Sequence, residues 1–229
     1  MPPSSPASAV VAPALPSCEV ADEPALAVGY DDWRLTLLDT RFALAESYEP
    51  PDLVPLATAF PAASAAAAGG SLREFVIEDL RAMVSDAAAA GHSLAVQSAY
   101  RGFRYQADTF QYWVDLQGYA RAMATSARAG HSEHQLGTAL DLRSLDGPAA
   151  WDLEDWAATP EGAWVAANAW RYGFVMSYPQ GMEHLSCYAY EPWHYRYFGK
   201  ELAAHIRASG VTPREALWEL AHAQTRSEP

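Results

Sequence analysis

Apolar positions recur at helical spacing over residues 71–90, SLREFVIEDLRAMVSDAAAA, where Leu72, Phe75, Val76, Leu80, Met83, Val84 and Ala87 share one face. Ser71 and Glu74 predict a capping box at its start, and Gly91 its stop. From residue 93 the period drops to two, so SLAVQSAYR predicts a strand that ends in Arg101. Gly102 opens a second amphipathic helix through Phe103, Phe110, Trp113, Val114 and Met123, which sets Arg101 at a strand-to-helix corner. TPEGAWVAANAWRYG (159–173) predicts a helix with Thr159 as N-cap, Pro160 in the first turn and Gly173 at the end. FVMSY (174–178) and LSCYAY (185–190) flank PQGMEH as a predicted hairpin, and TPREALWELAHA (212–223) is a last capped helix. The sum is an α+β fold, helices packed on a small, mostly antiparallel sheet, with 61–70 as a surface loop or linker.

A chain of 229 residues, half of them apolar and eight of them Trp, can bury one sizeable core. It divides into a flexible N-terminal tail (1–33) and a single domain (34–229). The balance of 15 basic against 28 acidic residues, net −13, repels phosphate backbones and argues against a nucleic-acid partner. No run of 18 apolar residues exists to span a membrane. Residues 1–17 have the Pro/Ala/Ser composition of a tether, and AVVAPAL (9–15) is too short and too broken by Pro13 to serve as a signal h-region. This is the expected appearance of an exported product whose signal or anchor is missing from the chain. Cys18 and Cys187 are either one disulfide or two separate thiols.

Chemistry concentrates in AGHSEHQLGTALDL (129–142). His134 and Asp141 lie seven residues apart; on a helix they would be separated by about 10 Å of rise, and on a strand by about twice that. They meet only if the chain folds back between them, and Gly137 can make that turn without steric cost. A second polar cluster, YEPWHYRY (190–197), sets Glu191 three residues before His194, and Pro192 biases Glu191 to an extended conformation. The two therefore lie on a strand edge or turn and can approach one ion from different distances. Two histidines and one carboxylate leave a tetrahedral zinc one open position, the catalytic pattern, and a spare glutamate supplies a general base.

SAYRGFRYQ (98–106), SEHQLGTALDL (132–142), WRYGFVMSYP (170–179) and YEPWHYRYFG (190–199), in that order, resemble the VanY-type zinc carboxypeptidases that trim bacterial cell-wall peptides. The resemblance runs from about residue 35 to 205, with its motif core at 71–205. LLDTRFALAESYEPPDLVPL (37–56) matches the family's lead-in. It implies the hedgehog/D-Ala-D-Ala peptidase fold and one Zn2+ held by His134, Asp141 and His194. It also implies Glu191 as catalytic base and Arg101 as stabiliser of the oxyanion, with Ser132 and Gln106 touching the terminal residue of a peptidoglycan stem peptide. Trp193 is expected to pack beneath the site and orient His194. The implied enzyme is a monomer that removes a C-terminal D-amino acid. An L,D-carboxypeptidase or endopeptidase on the same scaffold, and a zinc module that binds wall fragments without cutting them, are the alternatives. Two departures stand out: Ala129 replaces the usual proline, and Ser186-Cys187 replace a common Thr-Gly.

Of the remaining histidines, His92, His131, His184, His205 and His222 have no partner motif and are expected to be exposed or structural. Glu133, beside a ligand, is expected to face solvent or a donor behind the site. In the aromatic helix, Tyr105 and Tyr112 are the candidates for pocket lining.

Overall fold

The computed structural model describes residues 13–59 and 70–224. In chain order its elements are β1 (Glu23–Pro24), β2 (Phe42–Ala43), β3 (Leu53–Pro55), α1 (Leu56–Ala59), β4 (Ser71–Arg73) and α2 (Glu74–Ala89). Then follow β5 (Leu94–Ser98), α3 (Phe103–Gln117), α4 (Tyr119–Thr125), β6 (Ala139–Ser144), α5 (Pro160–Asn168) and β7 (Phe174–Met176). The last are α6 (Glu183–Ser186), β8 (His194–Tyr197), α7 (Lys200–Ser209) and α8 (Pro213–Gln224). The α+β expectation holds: the central sheet has four antiparallel strands in the order β5-β6-β8-β7.

The two-residue period of these strands sorts the chemistry. Leu140 and Leu142 of β6, with Tyr195 and Tyr197 of β8, join Val76, Leu80 and Met83 of α2 in the main core. The intervening residues, Asp141, His194 and Arg196, take the opposite face. Burying each large apolar side chain contributes roughly 1.5–3 kcal/mol, so this core fixes strand register, and register fixes which polar side chains are presented together. A second core gathers Leu37, Leu38, Phe42, Leu44, Leu136 and Phe198 with Ile206 of α7 and Leu217 of α8.

Several local expectations are corrected by long-range pairing. Ser71–Arg73 is a strand paired with β3, so the helix starts at Glu74 with Arg73 as an N-cap that makes no side-chain cap bond, and the predicted capping box does not form. The second amphipathic helix breaks at Gly118 into α3 and α4. The predicted hairpin is absent: β7 pairs with β8, while Glu183–Ser186 is the short helix α6. The Thr159 cap is present, its hydroxyl accepting from the Gly162 N–H. The loop expected at 61–70 falls, except for Gly70, outside the described residues.

The expected tail over 1–33 is not free where it is described. From residue 13 it is strapped to the domain: β1 pairs in parallel with β2, Trp218 Nε1 donates to the Pro13 carbonyl, and Arg214 donates to that of Pro16. Arg128 and His131 both bond Asp22, and Trp33 is buried in the main core. Cys18 and Cys187 form a disulfide that closes a separation of 169 residues. Constraining so long a loop in the unfolded chain contributes about 2–4 kcal/mol. Replacing both cysteines by serine is therefore expected to lower unfolding stability by that amount, read from denaturant midpoints. An unchanged midpoint would show the strap to be held by its hydrogen bonds alone.

Candidate metal centre

The centre is assembled on β6 and β8. Asp141 is the direct cross-strand partner of His194, and on its other side it faces Ser98 of β5, where an irregularity between Val96 and Ser98 shifts the register. His134 arrives from a 3-10 turn (133–136) that ends at Gly137, whose φ of 69° is the left-handed conformation. A Cβ there would stand 2.9 Å from Leu53 Cδ2 and 3.0 Å from Arg73 Cγ, so both space and backbone call for glycine. This is the fold-back that brings His134 over Asp141. One donor atom from each of His134, Asp141 and His194 lies within 4.8 Å of the others, and all three residues are buried.

Each candidate ligand is oriented from behind. His134 Nδ1 donates to the Ala99 carbonyl at 2.6 Å, which leaves Nε2 with its lone pair. That Nε2 is buried and makes no hydrogen bond, although Asp141 Oδ1 lies 3.4 Å away. Burial and the nearby Arg101 charge outweigh Asp141 and depress His134 to about 4, keeping it a neutral donor. His194 Nδ1 lies 3.0 Å from Asp141 Oδ1, and its Nε2 lies 3.0 Å from Glu133 Oε2. Burial opposes charge on this ring, but the two carboxylates prevail and raise His194 to about 10. The spot between Asp141 and His194 thus favours positive charge, whether from a proton or a metal ion. An orphaned buried nitrogen and a nitrogen-nitrogen-oxygen donor set fit a zinc ion with an open position.

Glu191 sits on the tight turn into β8, where the His194 N–H donates to the Glu191 carbonyl. Its Oε2 is 4.0 Å from His194 Nδ1, beside the centre without belonging to the ligand triangle. Burial raises its carboxyl to about 7, with Asp141 pushing the same way and His194 opposing. Arg101 stands at the strand-to-helix corner. Its Nε donates to Gln106 Oε1 and its Nη1 to Ser98 Oγ and, at 3.4 Å, to Asp141 Oδ2. All of these groups except Gln106 and Ser98 line a cavity of about 290 Å³.

Ser132 also lines that cavity, and its Oγ caps the 3-10 turn by accepting from the His134 N–H. Gln106 does not reach it: fully buried, it bonds Arg101 and the Ala127 carbonyl and so holds the guanidinium in place. Tyr105 and Tyr112, 66% and 60% exposed, lie away from the cavity, and Thr109 and Trp113 of the same helix line it instead. Trp193 lines the cavity and packs partly against the main core. One contributor lacked an assigned role in the sequence. Tyr178 stacks on His194 with ring centroids 4.8 Å apart. Of the two expectations for Glu133, solvent or a donor behind the site, the second holds: it is buried and accepts from Ser177, His194 and Arg196. His131 is structural, bonded to the Asp39 carbonyl and to Asp22.

An open three-ligand centre with a buried, unligated carboxylate beside it, reached from a cavity, has the layout of a catalytic metal site. The chain belongs to the VanY family, described as D-alanyl-D-alanine carboxypeptidase, whose profile matches residues 69–200. It is 36% identical over 182 residues to the "Putative carboxypeptidase YodJ" of Bacillus subtilis, covering 79% of this chain and 66% of that one. It is 34% identical to a D-alanyl-D-alanine carboxypeptidase of Enterococcus faecium, covering 63% and 43% respectively. The chain thus spans less than two thirds of the length of these relatives. Among solved structures, the LdcB LD-carboxypeptidase superposes with a TM-score of 0.69 at 33% identity, over 81% of this chain and 86% of that one. A point mutant of the D,D-pentapeptidase VanY, in complex with Zn(II), superposes with a TM-score of 0.67 at 27% identity, over 81% and 99%.

Proposed function

We propose that this protein is a zinc metallocarboxypeptidase that removes a C-terminal D-amino acid, D-Ala, from peptidoglycan stem peptides. The observation that carries the reading is the convergence of His134, Asp141 and His194 on one point with Glu191 beside them. A bound zinc ion supplies a Lewis acid that polarises the scissile carbonyl and acidifies water. The chain's own residues do the rest. Glu191 accepts the proton of the attacking water and passes it to the leaving amine. Arg101, held by Gln106 and Ser98, offers its remaining guanidinium N–H groups to the oxygen on which charge develops. Ser132, which lines the cavity, meets the terminal residue of the peptide.

The enzyme acts as a monomer in the cell envelope or outside it. Among the described residues no helix is long and apolar enough to cross a membrane, and the Cys18–Cys187 bond suits an oxidising compartment. Removal of D-Ala from a D,D-terminated pentapeptide is supported by the family match and by a relative of the VanY type bound to D-alanine-D-alanine.

Incubation with pentapeptide and tetrapeptide stems, with released D-Ala read by mass spectrometry, tests this. Release from the pentapeptide is expected; release from the tetrapeptide alone would replace the reading with an L,D-carboxypeptidase. Binding without release would make the chain a wall-fragment receptor. Metal analysis is expected to find about one zinc per chain, with occupancy lowered in His134→Ala and Asp141→Asn because each removes one of three protein donors. Full zinc in both variants would place the ion elsewhere.

A further inference from the structure

The wall of the cavity that carries Glu191 is also the wall that the disulfide reaches. Tyr188, Ala189, Tyr190 and Glu191 line the cavity in succession, on a stretch between α6 and β8 that belongs to no helix or strand. Tyr188 is buried, its ring edge-on to that of Tyr178 with centroids 5.1 Å apart, and Tyr178 stacks in turn on His194. The Ala189 N–H donates to the Ala124 carbonyl of α4, and the Glu191 N–H to the Tyr178 carbonyl. Without the ladder of a regular element, such a stretch depends on its anchors.

Cys187 is the anchor at its head. α6 ends there in a left-handed backbone, φ 71°, which costs any residue with a Cβ and which glycine would adopt without strain. The bond to Cys18 offsets that cost. Cys18 belongs to the strap, which Trp218 holds at Pro13 and Arg214 at Pro16. Arg214 also donates to the Leu185 carbonyl of α6 and pairs with the buried Asp39, so one side chain of α8 braces both ends of the crosslink. The metal donors are held differently. His134, Asp141 and His194 stand on the 3-10 turn and on β6 and β8, where core packing and sheet register fix them.

We propose that Cys187, through its bond to Cys18, is a positioning residue of the proposed active site: it fixes the wall 188–191 so that the base keeps its place beside donors that the sheet holds independently. The inference rests on the carboxypeptidase reading and adds to it a catalytic duty for the N-terminal strap. Neither sulfur takes part in the chemistry.

The test compares the full, oxidised, zinc-loaded chain with Cys18→Ser/Cys187→Ser and with Cys18→Ser/Cys187→Gly. The glycine relieves the left-handed backbone and so keeps a folded variant available. All are read at a temperature where circular dichroism shows them folded. In both variants kcat for release of D-Ala is expected to fall about tenfold, within the ~10²-fold that a misplacement of about 1 Å costs. KM, and zinc affinity by chelator competition, should stay close to wild type. The Ala189 amide should exchange with solvent about tenfold faster, as the wall opens locally. Trp218→Phe, which removes the strap's bond at Pro13 but keeps the crosslink, is expected to cleave at the wild-type rate. Wild-type kcat in both double variants, unchanged exchange at Ala189, or two free thiols in the oxidised wild type overturns the inference. So does an equal loss of turnover in Trp218→Phe, or a loss of zinc that accounts for the loss of turnover. Each of these outcomes leaves the carboxypeptidase reading standing. Release of D-Ala by the wild type from neither pentapeptide nor tetrapeptide stems overturns both.

Discussion

Glu191→Gln is expected to lower hydrolysis of a D-Ala-terminated peptide by about 10²–10⁴-fold, the contribution of a positioned general base. Zinc content, folding and peptide binding should stay close to wild type. The substitution keeps the volume and most hydrogen bonding of a side chain that lies 4.0 Å from His194 Nδ1 and is not one of the converging donors. Only the capacity to take a proton is removed. Burial raises the Glu191 carboxyl to about 7, which places it near the useful range for a base, and a neighbouring dication would draw it lower. Because the base works deprotonated, wild-type kcat/KM should be full above its pKa and fall as pH drops through it; the residual activity of the variant should lack that limb. A variant that retains zinc and cleaves at the wild-type rate would assign the base to another group. One that loses zinc would make Glu191 a ligand.

The three converging donors, His134, Asp141 and His194, were legible through the family resemblance of the motifs that carry them, and local geometry permits their meeting. A fold-back between His134 and Asp141 needs a residue such as Gly137, and Pro192 constrains Glu191 ahead of His194. Short-range sterics determine both. What the local pattern could not carry was partnership between distant segments. Leu72 has a place on the helical stripe of 71–90, yet β3, about twenty residues earlier, draws Ser71–Arg73 into a strand, where Leu72 is fully buried. FVM pairs with HYRY and not with the nearer LSCYAY, because Phe174 and Tyr197 meet in the core.

Cys187 shows the same limit. In the sequence it is a departure at a position usually held by glycine. In the fold it keeps the left-handed backbone of that position, with φ 71°, and takes Cys18 of the strap as its partner. Gln106 was placed against substrate, whereas its depth puts it against Arg101. The distinction between touching a ligand and holding the residue that does is a matter of burial, and periodicity within α3 does not resolve it.

Glu133, expected to face solvent or a donor behind the site, faces three such donors, and its removal carries the largest expected cost to the fold. Its carboxylate lies between Arg196, which is 0% exposed, the Nε2 of His194, and Ser177. Burial disfavours its charge, but Arg196 and His194, with Ser177, hold it down at about 2, so it stays ionised across the physiological range. Arg196 also donates to the carbonyls of Trp33 and Thr36, so this ion pair joins the sheet to the N-terminal segment. Glu133→Ala leaves the guanidinium buried without its counter-charge, a loss of about 3–5 kcal/mol, which for a chain of this size is a fall of roughly 10 °C in Tm.

Glu133→Gln separates the two duties of the side chain. The amide oxygen can still accept from Arg196 or Ser177, but the carboxylate that accepts the His194 Nε2–H, and so leaves Nδ1 free for the metal, is gone. Zinc affinity, measured by chelator competition, should therefore fall by about 10–100-fold, with a smaller change in Tm than in the alanine variant. If zinc affinity is unchanged in Glu133→Gln while stability drops as far as in Glu133→Ala, the residue serves the fold alone, and the Nε2–H tautomer of His194 does not depend on it.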